Sequence, residues 1–119
     1  MSDQAAEQLP EADVHSVDQW LSAGEIVLVD VREVHEYAFE HIPGSFLLPL
    51  SFLEAELFPD MGRKIVLICQ VGKRSAAAQK QLAKVGVTDT INMIGGINAW
   101  REAELELEGS RWDDADYTI

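Results

Sequence analysis

The sequence predicts an α/β domain with a central, mostly parallel sheet of four to five strands and helices on both of its faces. Residues 26–31 (IVLVDV) and 65–69 (IVLIC) are continuous apolar runs that are rich in β-branched residues. Such runs are typical of strands that are covered on both sides. Segments of helical composition lie between them, and strands and helices that alternate at this spacing indicate right-handed βαβ crossovers.

In the first half of the chain, two capping-box patterns and one helix breaker define the elements. Residues 16–24 begin with SVDQ and residues 51–58 begin with SFLE, so each segment is predicted to be a helix capped by its serine. After the strand at 26–31, residues 32–41 form a predicted short helix, which the following Pro-Gly pair ends. Residues 45–50 (SFLLPL) then form a short buried strand.

In the second half, the strand at 65–69 is followed by a segment with strong helix formers. Residues 75–86 (SAAAQKQLAKVG) are rich in Ala, Gln, Lys and Leu, and the final glycine is the expected end of this helix. Residues 90–94 (TINMI) form the fourth predicted strand, and residues 95–103 begin the last helix. The Glu-Leu alternation that opens residues 104–119 permits a strand, and an acidic frayed tail is an equally good interpretation.

The chain of 119 residues is long enough for one domain with its own core, and no metal or disulfide is needed to hold it together. We expect the domain to cover residues 13–108 and to be monomeric. Residues 1–12 are polar and acid-rich, which predicts a flexible N-terminal segment. Residues 109–119 are predicted to be an acidic C-terminal tail.

The net charge of −12 argues against nucleic acid as a partner, because phosphate binding requires a basic surface. The chain has one cysteine, so an internal disulfide is impossible, and a lone thiol favours a reducing compartment such as the cytoplasm. The N-terminus does not have the pattern of a signal peptide. No stretch approaches the apolar length of a membrane helix, so no membrane association is expected.

The position of Cys69 predicts chemistry at the end of a strand. Ligands of open parallel sheets bind outside the carboxyl ends of the strands, and a helix is predicted to begin at Ser75. Gly72 lets the intervening loop turn sharply, and the free N–H groups at the start of the helix can bind an anion. These groups, together with Lys73 and Arg74, are expected to favour the ionised thiol.

The loop at residues 69–75, Cys-Gln-Val-Gly-Lys-Arg-Ser, resembles the active-site loop of single-domain rhodaneses, the thiosulfate sulfurtransferase family. Three further segments are similar to motifs of that family and occur in its order: VDVREVHEY at 29–37, HIPGS at 41–45 and MIGGINAW at 93–100. The family commonly follows its tryptophan with Gly-Leu-Pro, whereas residues 103–108 read AELELE. The resemblance therefore implies a rhodanese-like fold but leaves the packing of the C-terminal segment open.

The resemblance implies that Cys69 is the catalytic residue and carries sulfur as a persulfide. Sulfur would come from thiosulfate or another sulfane-sulfur donor and pass to cyanide, a small thiol or a protein acceptor. No cofactor is implied, and the scattered histidines give no metal-site spacing. The loop that would bind substrate and persulfide consists of Gln70, Val71, Gly72, Lys73, Arg74 and Ser75.

Two alternative functions stay open at this point. A cysteine-based phosphatase or arsenate reductase would also wrap an oxyanion in such a loop. Resembling phosphatases place five residues between cysteine and arginine, however, and this chain has four between Cys69 and Arg74. A non-catalytic or regulatory partner-binding module is the other alternative, and the intact cysteine argues against it.

Asp30 and Arg32 are supporting residues whose role has two interpretations. In the functional one, Asp30 buttresses the loop and Arg32 supplies positive potential. In the structural one, which we favour, Arg32 forms a salt bridge with Glu36, four residues further along. His41 is expected to stabilise its turn through a hydrogen bond rather than to act in catalysis.

Overall fold

The computed structural model describes residues 9–113, and within this range five strands form one parallel sheet in the order β1-β5-β4-β2-β3. This arrangement confirms the predicted α/β class and the predicted number of strands. The strands are β1 (Glu11–Ala12), β2 (Ile26–Asp30), β3 (Phe46–Leu47), β4 (Lys64–Ile68) and β5 (Ile91–Met93).

Five α-helices and two 3-10 turns connect or follow the strands in the described part of the chain. The two 3-10 turns are Leu50–Phe52 and Ala55–Leu57. The helices are α1 (Val14–Ser22), α2 (Val34–Phe39), α3 (Lys73–Ala83), α4 (Gly96–Glu102) and α5 (Ser110–Asp113). No helix in this range combines the length and the apolar character that a bilayer span requires.

The sheet separates two hydrophobic clusters, as the doubly apolar strands require. Alternate side chains of β2 and β4 point to opposite faces. Leu28 and Val66 therefore join the cluster that packs on α1 and α4, whereas Val29 and Leu67 join the cluster that packs on α3 and the 3-10 turns. Helices thus cover both faces of the sheet, and the carboxyl ends of the central strands β2 and β4 lie side by side.

The N-terminal predictions need two corrections. Glu11–Ala12 pair with β5 as an edge strand, so the segment predicted to be flexible over residues 1–12 contains a structured part. Helix α1 begins two residues before Ser16, because Asp13 is its N-cap and accepts a hydrogen bond from the Ser16 amide at 2.8 Å. The pattern at 16–19 therefore lies inside the helix. Residues 1–8 lie outside the described residues.

The region after the first helix breaker also differs from its prediction. The strand predicted at residues 45–50 is reduced to the two residues of β3, and Phe46 is 63% exposed because β3 is the edge of the sheet. The helix predicted at 51–58 is replaced by the two 3-10 turns. Leu50 and Leu53 pack against the hydrophobic cluster on the α3 side of the sheet. They reach it from two separate turns and not from one face of a single helix.

The C-terminal segment, which the family resemblance left open, packs against the domain. Leu105 and Leu107 contact the core cluster of α1 and α4, and Glu108 pairs with His41 in an antiparallel bridge. Helix α5 follows, and Arg111 lies 3.2 Å from the buried carboxylate of Glu40. The folded part of the chain thus extends past residue 108. Residues 114–119 of the predicted acidic tail lie outside the described range.

Candidate active site

Cys69 is the first residue after β4 and continues the alternation of that strand. Its side chain belongs to the cluster that packs on α3, and it is 1% exposed. The sulfur therefore lies between the carboxyl end of a central strand and the first turn of a helix, where ligands of parallel sheets bind. Because the thiol is buried, an atom that reacts with the sulfur has to reach it through the opening formed by the loop that follows Cys69.

The loop after Cys69 directs three hydrogen-bond donors at the sulfur. Gly72 is the N-cap of α3 with a φ of +99°, a conformation that glycine adopts without steric cost. This turn brings the Gly72 amide to 3.1 Å from Cys69 Sγ. The amide and the hydroxyl of Ser75 each lie 3.3 Å from the same atom, so the two loop residues surround the sulfur.

These donors lower the pKa of the thiol. Burial opposes ionisation of Cys69, but the hydrogen bonds from the hydroxyl and the amide of Ser75 and from the amide of Gly72 outweigh it. The pKa of Cys69 therefore lies below its ordinary value, because each of these hydrogen bonds is stronger to the anion than to the neutral thiol. The site has the electrostatics that a nucleophilic sulfur requires.

Asn92 belongs to the site although sequence reasoning did not select it. Its Oδ1 lies 2.5 Å from the Ser75 hydroxyl, and its Nδ2 donates to the Gly72 carbonyl at 3.1 Å. Asn92 thus holds both loop residues that contact the sulfur. The available signal was a single amide side chain inside the otherwise apolar strand β5, because such a buried group needs polar partners.

The first turn of α4 supports the back of the loop. The amide of Ile97 donates to the Cys69 carbonyl at 2.9 Å, and the amide of Asn98 donates to the Gln70 carbonyl at 3.1 Å. A Cβ on Gly96 would lie 2.3 Å from the Cys69 carbonyl oxygen. Only glycine at position 96 therefore allows the two backbones to approach this closely.

Asp30 and Arg32 form a buried pair that reaches the loop. Arg32 Nη2 lies 2.9 Å from Asp30 Oδ2, and the two side chains are 2% and 0% exposed. Arg32 Nη1 also donates to Gln70 Oε1 at 3.1 Å. The salt bridge predicted between Arg32 and Glu36 is therefore wrong. The pair instead supports the loop through the hydrogen bond from Arg32 to Gln70. Because the carboxylate of Asp30 neutralises the guanidinium, Arg32 adds little positive potential at the site.

Removing Asp30 is expected to destabilise the fold strongly. Asp30→Ala leaves the buried guanidinium of Arg32 without its partner, which should lower the free energy of unfolding by about 3–5 kcal/mol. Urea unfolding measures the change. The double variant Asp30→Ala/Arg32→Met should recover part of the loss, because it buries no unpaired charge. A double variant as unstable as the single one would contradict this account.

Arg74 pairs with Glu36 through both of its terminal nitrogens, at 2.7 and 2.8 Å. Sequence reasoning assigned this glutamate to Arg32, because the two are close in the chain. The hydrogen bond from Arg74 is the main reason that the pKa of Glu36 is lowered to about 2. Arg74 therefore acts first as a tether between α3 and α2, and most of its charge is compensated.

The Glu36 pair should make the stability of the protein depend on acid pH. The pKa of Glu36 in the folded protein is about 2, below the ordinary glutamate value of 4.5. The stability that this ion pair contributes is therefore present above pH 4.5 and is lost as the pH falls towards 2. Glu36→Gln is expected to lose this part of the dependence. Denaturant unfolding of both proteins across this range checks it, and parallel curves would contradict the prediction.

The mouth of the loop has one exposed apolar and one exposed basic residue. Val71 is 48% exposed, and the exposed Lys73 has no ion pair within residues 9–113. Lys73 and Arg74 were both predicted to attract an anion. Of the two, Lys73 is the one whose positive charge is not neutralised by a neighbouring carboxylate. In the same range no group of three or more His, Cys, Asp or Glu side chains is arranged to hold a metal ion.

His41 forms hydrogen bonds that hold its turn in place, as predicted from the sequence. Its Nδ1 lies 2.7 Å from the carbonyl oxygen of Tyr37 and its Nε2 lies 2.9 Å from a carboxylate oxygen of Glu108. The ring also stacks on Tyr37 with a centroid distance of 4.0 Å. These contacts connect the turn after α2 to the C-terminal segment and do not involve Cys69.

Comparison with known proteins shows which family and which relatives this chain resembles. The model of the Rhodanese-like domain family matches residues 13–103. The uncharacterized protein slr1261 of Synechocystis is 43% identical over 81 residues, which cover 67% of this chain and 45% of that protein. Thiosulfate sulfurtransferase GlpE of Haemophilus influenzae is 34% identical, with 69% of this chain and 79% of the relative covered.

A solved structure, that of the human single-domain sulfurtransferase TSTD1, is similar with a TM-score of 0.69 and 28% identity. The match covers 78% of this chain and 96% of the human one. The chain therefore spans nearly all of one small relative and less than half of the longer slr1261.

Proposed function

Because the chain belongs to the rhodanese-like domain family, we propose that it moves sulfane sulfur from a donor such as thiosulfate to a thiophilic acceptor through a persulfide on Cys69. The observation that carries the proposal is the convergence of the Gly72 amide, the Ser75 amide and the Ser75 hydroxyl on the Cys69 sulfur. Three donors at one buried thiol favour the thiolate, which is the form that attacks sulfur.

The first half-reaction loads the cysteine. A lone pair of the Cys69 thiolate attacks the outer sulfur of thiosulfate and forms a new S–S bond. The S–S bond of thiosulfate breaks, and its electron pair leaves with sulfite. The hydrogen bonds from Gly72 and Ser75 keep the thiol ionised before the attack, so no separate general base is required at this step.

The second half-reaction unloads the sulfur. The lone pair of cyanide, or of an acceptor thiolate, attacks the outer sulfur of the persulfide, and the electron pair of the broken S–S bond returns to Cys69 Sγ. The products are thiocyanate or an acceptor persulfide, together with the Cys69 thiolate. The two transfers divide one difficult step into two easier ones and need neither a metal nor an organic cofactor.

Two further amides are available for the outer sulfur. Lys73 and Arg74 lie in the first turn of α3, where an earlier helical carbonyl cannot satisfy the amide. Within residues 9–113 neither amide has a backbone acceptor. Preorganised amides of this kind stabilise a partly anionic atom, which supports the assignment of Gln70 to Ser75 as the persulfide-binding loop.

The phosphatase alternative is less well supported by the same geometry. A phosphate-binding loop needs an arginine that is free to contact the oxyanion, whereas both terminal nitrogens of Arg74 are bound to Glu36. The loop is also one residue shorter than in the resembling phosphatases. The partner-binding alternative makes no use of a lowered thiol pKa, so the pKa of Cys69 favours the enzyme.

The proposal is tested by incubating the protein with thiosulfate and measuring its intact mass before and after cyanide is added. The expected result is a gain of one sulfur atom that cyanide removes as thiocyanate. An unmodified protein that hydrolyses an aryl phosphate would support the phosphatase instead. A protein that does neither but binds a partner would support the regulatory module.

Lys73 is expected to contribute to the binding of an anionic donor. Lys73→Ala should raise the KM for thiosulfate by roughly two- to fivefold at low salt, and the effect should shrink as salt is added. Steady-state kinetics at two ionic strengths measure it. Lys80→Ala is the matched control, because that lysine is also exposed on α3 but lies in its last turn. Equal effects of the two variants would contradict the role of Lys73.

The remaining parts of the proposal concern the setting of the enzyme. We propose that it works as a monomer, because no part of the site described above requires a second chain. A single thiol that must remain reduced supports a cytoplasmic location. The physiological acceptor would be a small thiol or a protein, and the exposed Val71 at the mouth of the loop is compatible with either.

A further inference from the structure

The hydroxyl of Ser75 has one proton and two possible acceptors. Its Oγ lies 2.5 Å from Asn92 Oδ1 and 3.3 Å from Cys69 Sγ. Ser75 is 0% exposed and Asn92 is 4% exposed, so bulk water does not compete for either side chain. The proton can be donated to one of the two atoms at a time, and the distances favour Asn92.

The amide of Asn92 has a fixed orientation. Its Nδ2 lies 3.1 Å from the carbonyl oxygen of Gly72, and a reversed amide would bring two oxygens together at that place. Oδ1 therefore faces Ser75, and because Oδ1 only accepts, the hydroxyl must be the donor of the 2.5 Å hydrogen bond. Cys69 Sγ accepts a hydrogen bond from this hydroxyl only when the hydroxyl turns away from Asn92.

The charge on the Cys69 sulfur determines which of the two acceptors receives the hydrogen bond of the Ser75 hydroxyl. A neutral thiol or persulfide sulfur is a weak acceptor, so the hydroxyl remains on Asn92. A thiolate is an anion, and hydrogen bonds to an ionised acceptor are roughly twice as strong as neutral ones. The hydroxyl then rotates about its C–O bond towards the sulfur, and no covalent bond is broken.

We propose that Asn92 is a positioning residue that holds the Ser75 hydroxyl away from the Cys69 sulfur while the sulfur is neutral and releases it when negative charge appears there. The catalytic consequence rests on the proposed function. When an acceptor takes the outer sulfur, the electron pair of the breaking S–S bond moves to Sγ, and the hydroxyl turns to meet it. The hydroxyl therefore stabilises the transition state more than the neutral ground state, and the hydrogen bond to Asn92 that has to break reduces this gain.

The other charges around the thiol are independent of Asn92. The charged side chains on the neighbouring elements form three groups. Asp30 at the end of β2 pairs with Arg32 just after it. At the start of α3, Lys73 is followed by Arg74, which pairs with Glu36 of α2. Helix α4 carries Arg101, which pairs with Glu40, and Glu102. Strand β5 contributes no charged residue. Replacing Asn92 by an uncharged residue therefore leaves every one of these charges in place.

The test is a pH titration of the thiolate by its ultraviolet absorbance in the free protein and in three variants. Ser75→Ala should raise the pKa of Cys69, because a donor to the anion is lost. Asn92→Ala should lower that pKa, because the hydroxyl no longer has a competing acceptor. The double variant should match Ser75→Ala, since Asn92 acts only through Ser75.

If Asn92 had only a structural role, its replacement would change the pKa of Cys69 in the opposite direction. If its loss only loosened the Gly72 turn, the amide of Gly72 would withdraw from the sulfur and Asn92→Ala would raise the pKa of Cys69. That result would overturn the proposal. So would an Asn92→Ala substitution that changes the pKa of Cys69 equally in the wild type and in the Ser75→Ala variant. Asn92→Leu, which keeps the branching and the number of heavy atoms of the side chain, has the same expected outcome and serves if the alanine variant does not fold.

Discharge of a preformed persulfide by cyanide gives the kinetic arm. Ser75→Ala should slow this step by roughly tenfold, because the charge that develops on Sγ loses its hydroxyl donor. Asn92→Ala should speed it up, because the hydroxyl no longer has to leave a competing acceptor when it turns to the sulfur. A slower Asn92→Ala discharge would count against the inference. Because the thiolate titration needs no sulfur transfer, a wrong titration pattern rejects the role of Asn92 alone. A wild-type protein that never loads sulfur rejects the proposed function alone.

Discussion

Cys69→Ser is expected to reduce thiosulfate:cyanide sulfur transfer by at least about 10⁴-fold, a loss typical of removing a nucleophile. A serine hydroxyl is a weak nucleophile without an adjacent base, and the groups around this position are hydrogen-bond donors. Oxygen at this position also cannot form the persulfide. The variant should therefore show no gain of sulfur by intact mass and no thiocyanate above the uncatalysed rate.

The fold of Cys69→Ser should be unaffected, which makes the loss of activity interpretable. The serine oxygen can accept the same hydrogen bonds from Gly72 and Ser75 that the sulfur accepts. Thermal unfolding and circular dichroism close to those of the wild type are the required control. Thiocyanate formation that survives in a folded variant would mean that the transfer does not pass through the only cysteine of the chain.

The fold class could be predicted because the central strands are apolar at every position except Asp30, which ends β2, and Lys64, which begins β4. Residues of β2 and β4 contact helices on both faces, so their sequence carries no alternation and cannot be mistaken for a surface strand. The edge of the sheet could not be predicted in the same way. Glu11–Ala12 and Phe46–Leu47 are two residues long, and their pairing depends on neighbours that are distant in the chain.

The site shows the same division between local and distant information. Gly72 and Ser75 were predictable because the turn and the helix start lie within six residues of the cysteine. The hydrogen bond of Ser75 with Asn92 spans 17 residues, and that of Arg74 with Glu36 spans 38. No spacing rule along a strand or helix reveals such pairs, because the sheet order brings them together.

The pairing of Arg32 and Arg74 changes the electrostatic interpretation of the loop. The sequence suggests a site with several cations, but Asp30 and Glu36 compensate the two arginines. The thiolate is therefore stabilised mainly by hydrogen bonds from the loop, with Lys73 as an exposed charge at its mouth. Hydrogen bonds inside a buried site are little affected by salt, whereas an exposed charge is screened.

Gly96→Ala is expected to damage both the fold and the site around Cys69. The new Cβ would lie 2.3 Å from the Cys69 carbonyl oxygen and 2.6 Å from the Gln70 carbonyl carbon, both of them backbone atoms that cannot rotate away. Overpacking and a left-handed conformation each cost roughly 1–3 kcal/mol. Together they should lower the free energy of unfolding by about 3–5 kcal/mol, as measured by urea unfolding.

The same variant should also lose sulfur loading at temperatures where it is still folded. The clash separates α4 from the loop, so the Ile97 amide can no longer hold the Cys69 carbonyl at 2.9 Å. The amides that converge on the sulfur then lose their support. Gly24→Ala is the matched control, because Gly24 has a φ of +73° but no atom within 4 Å of its new Cβ. It should show only the conformational cost and normal loading. Equal stability and loading of the two variants would mean that the contact between α4 and the loop does not hold the site together.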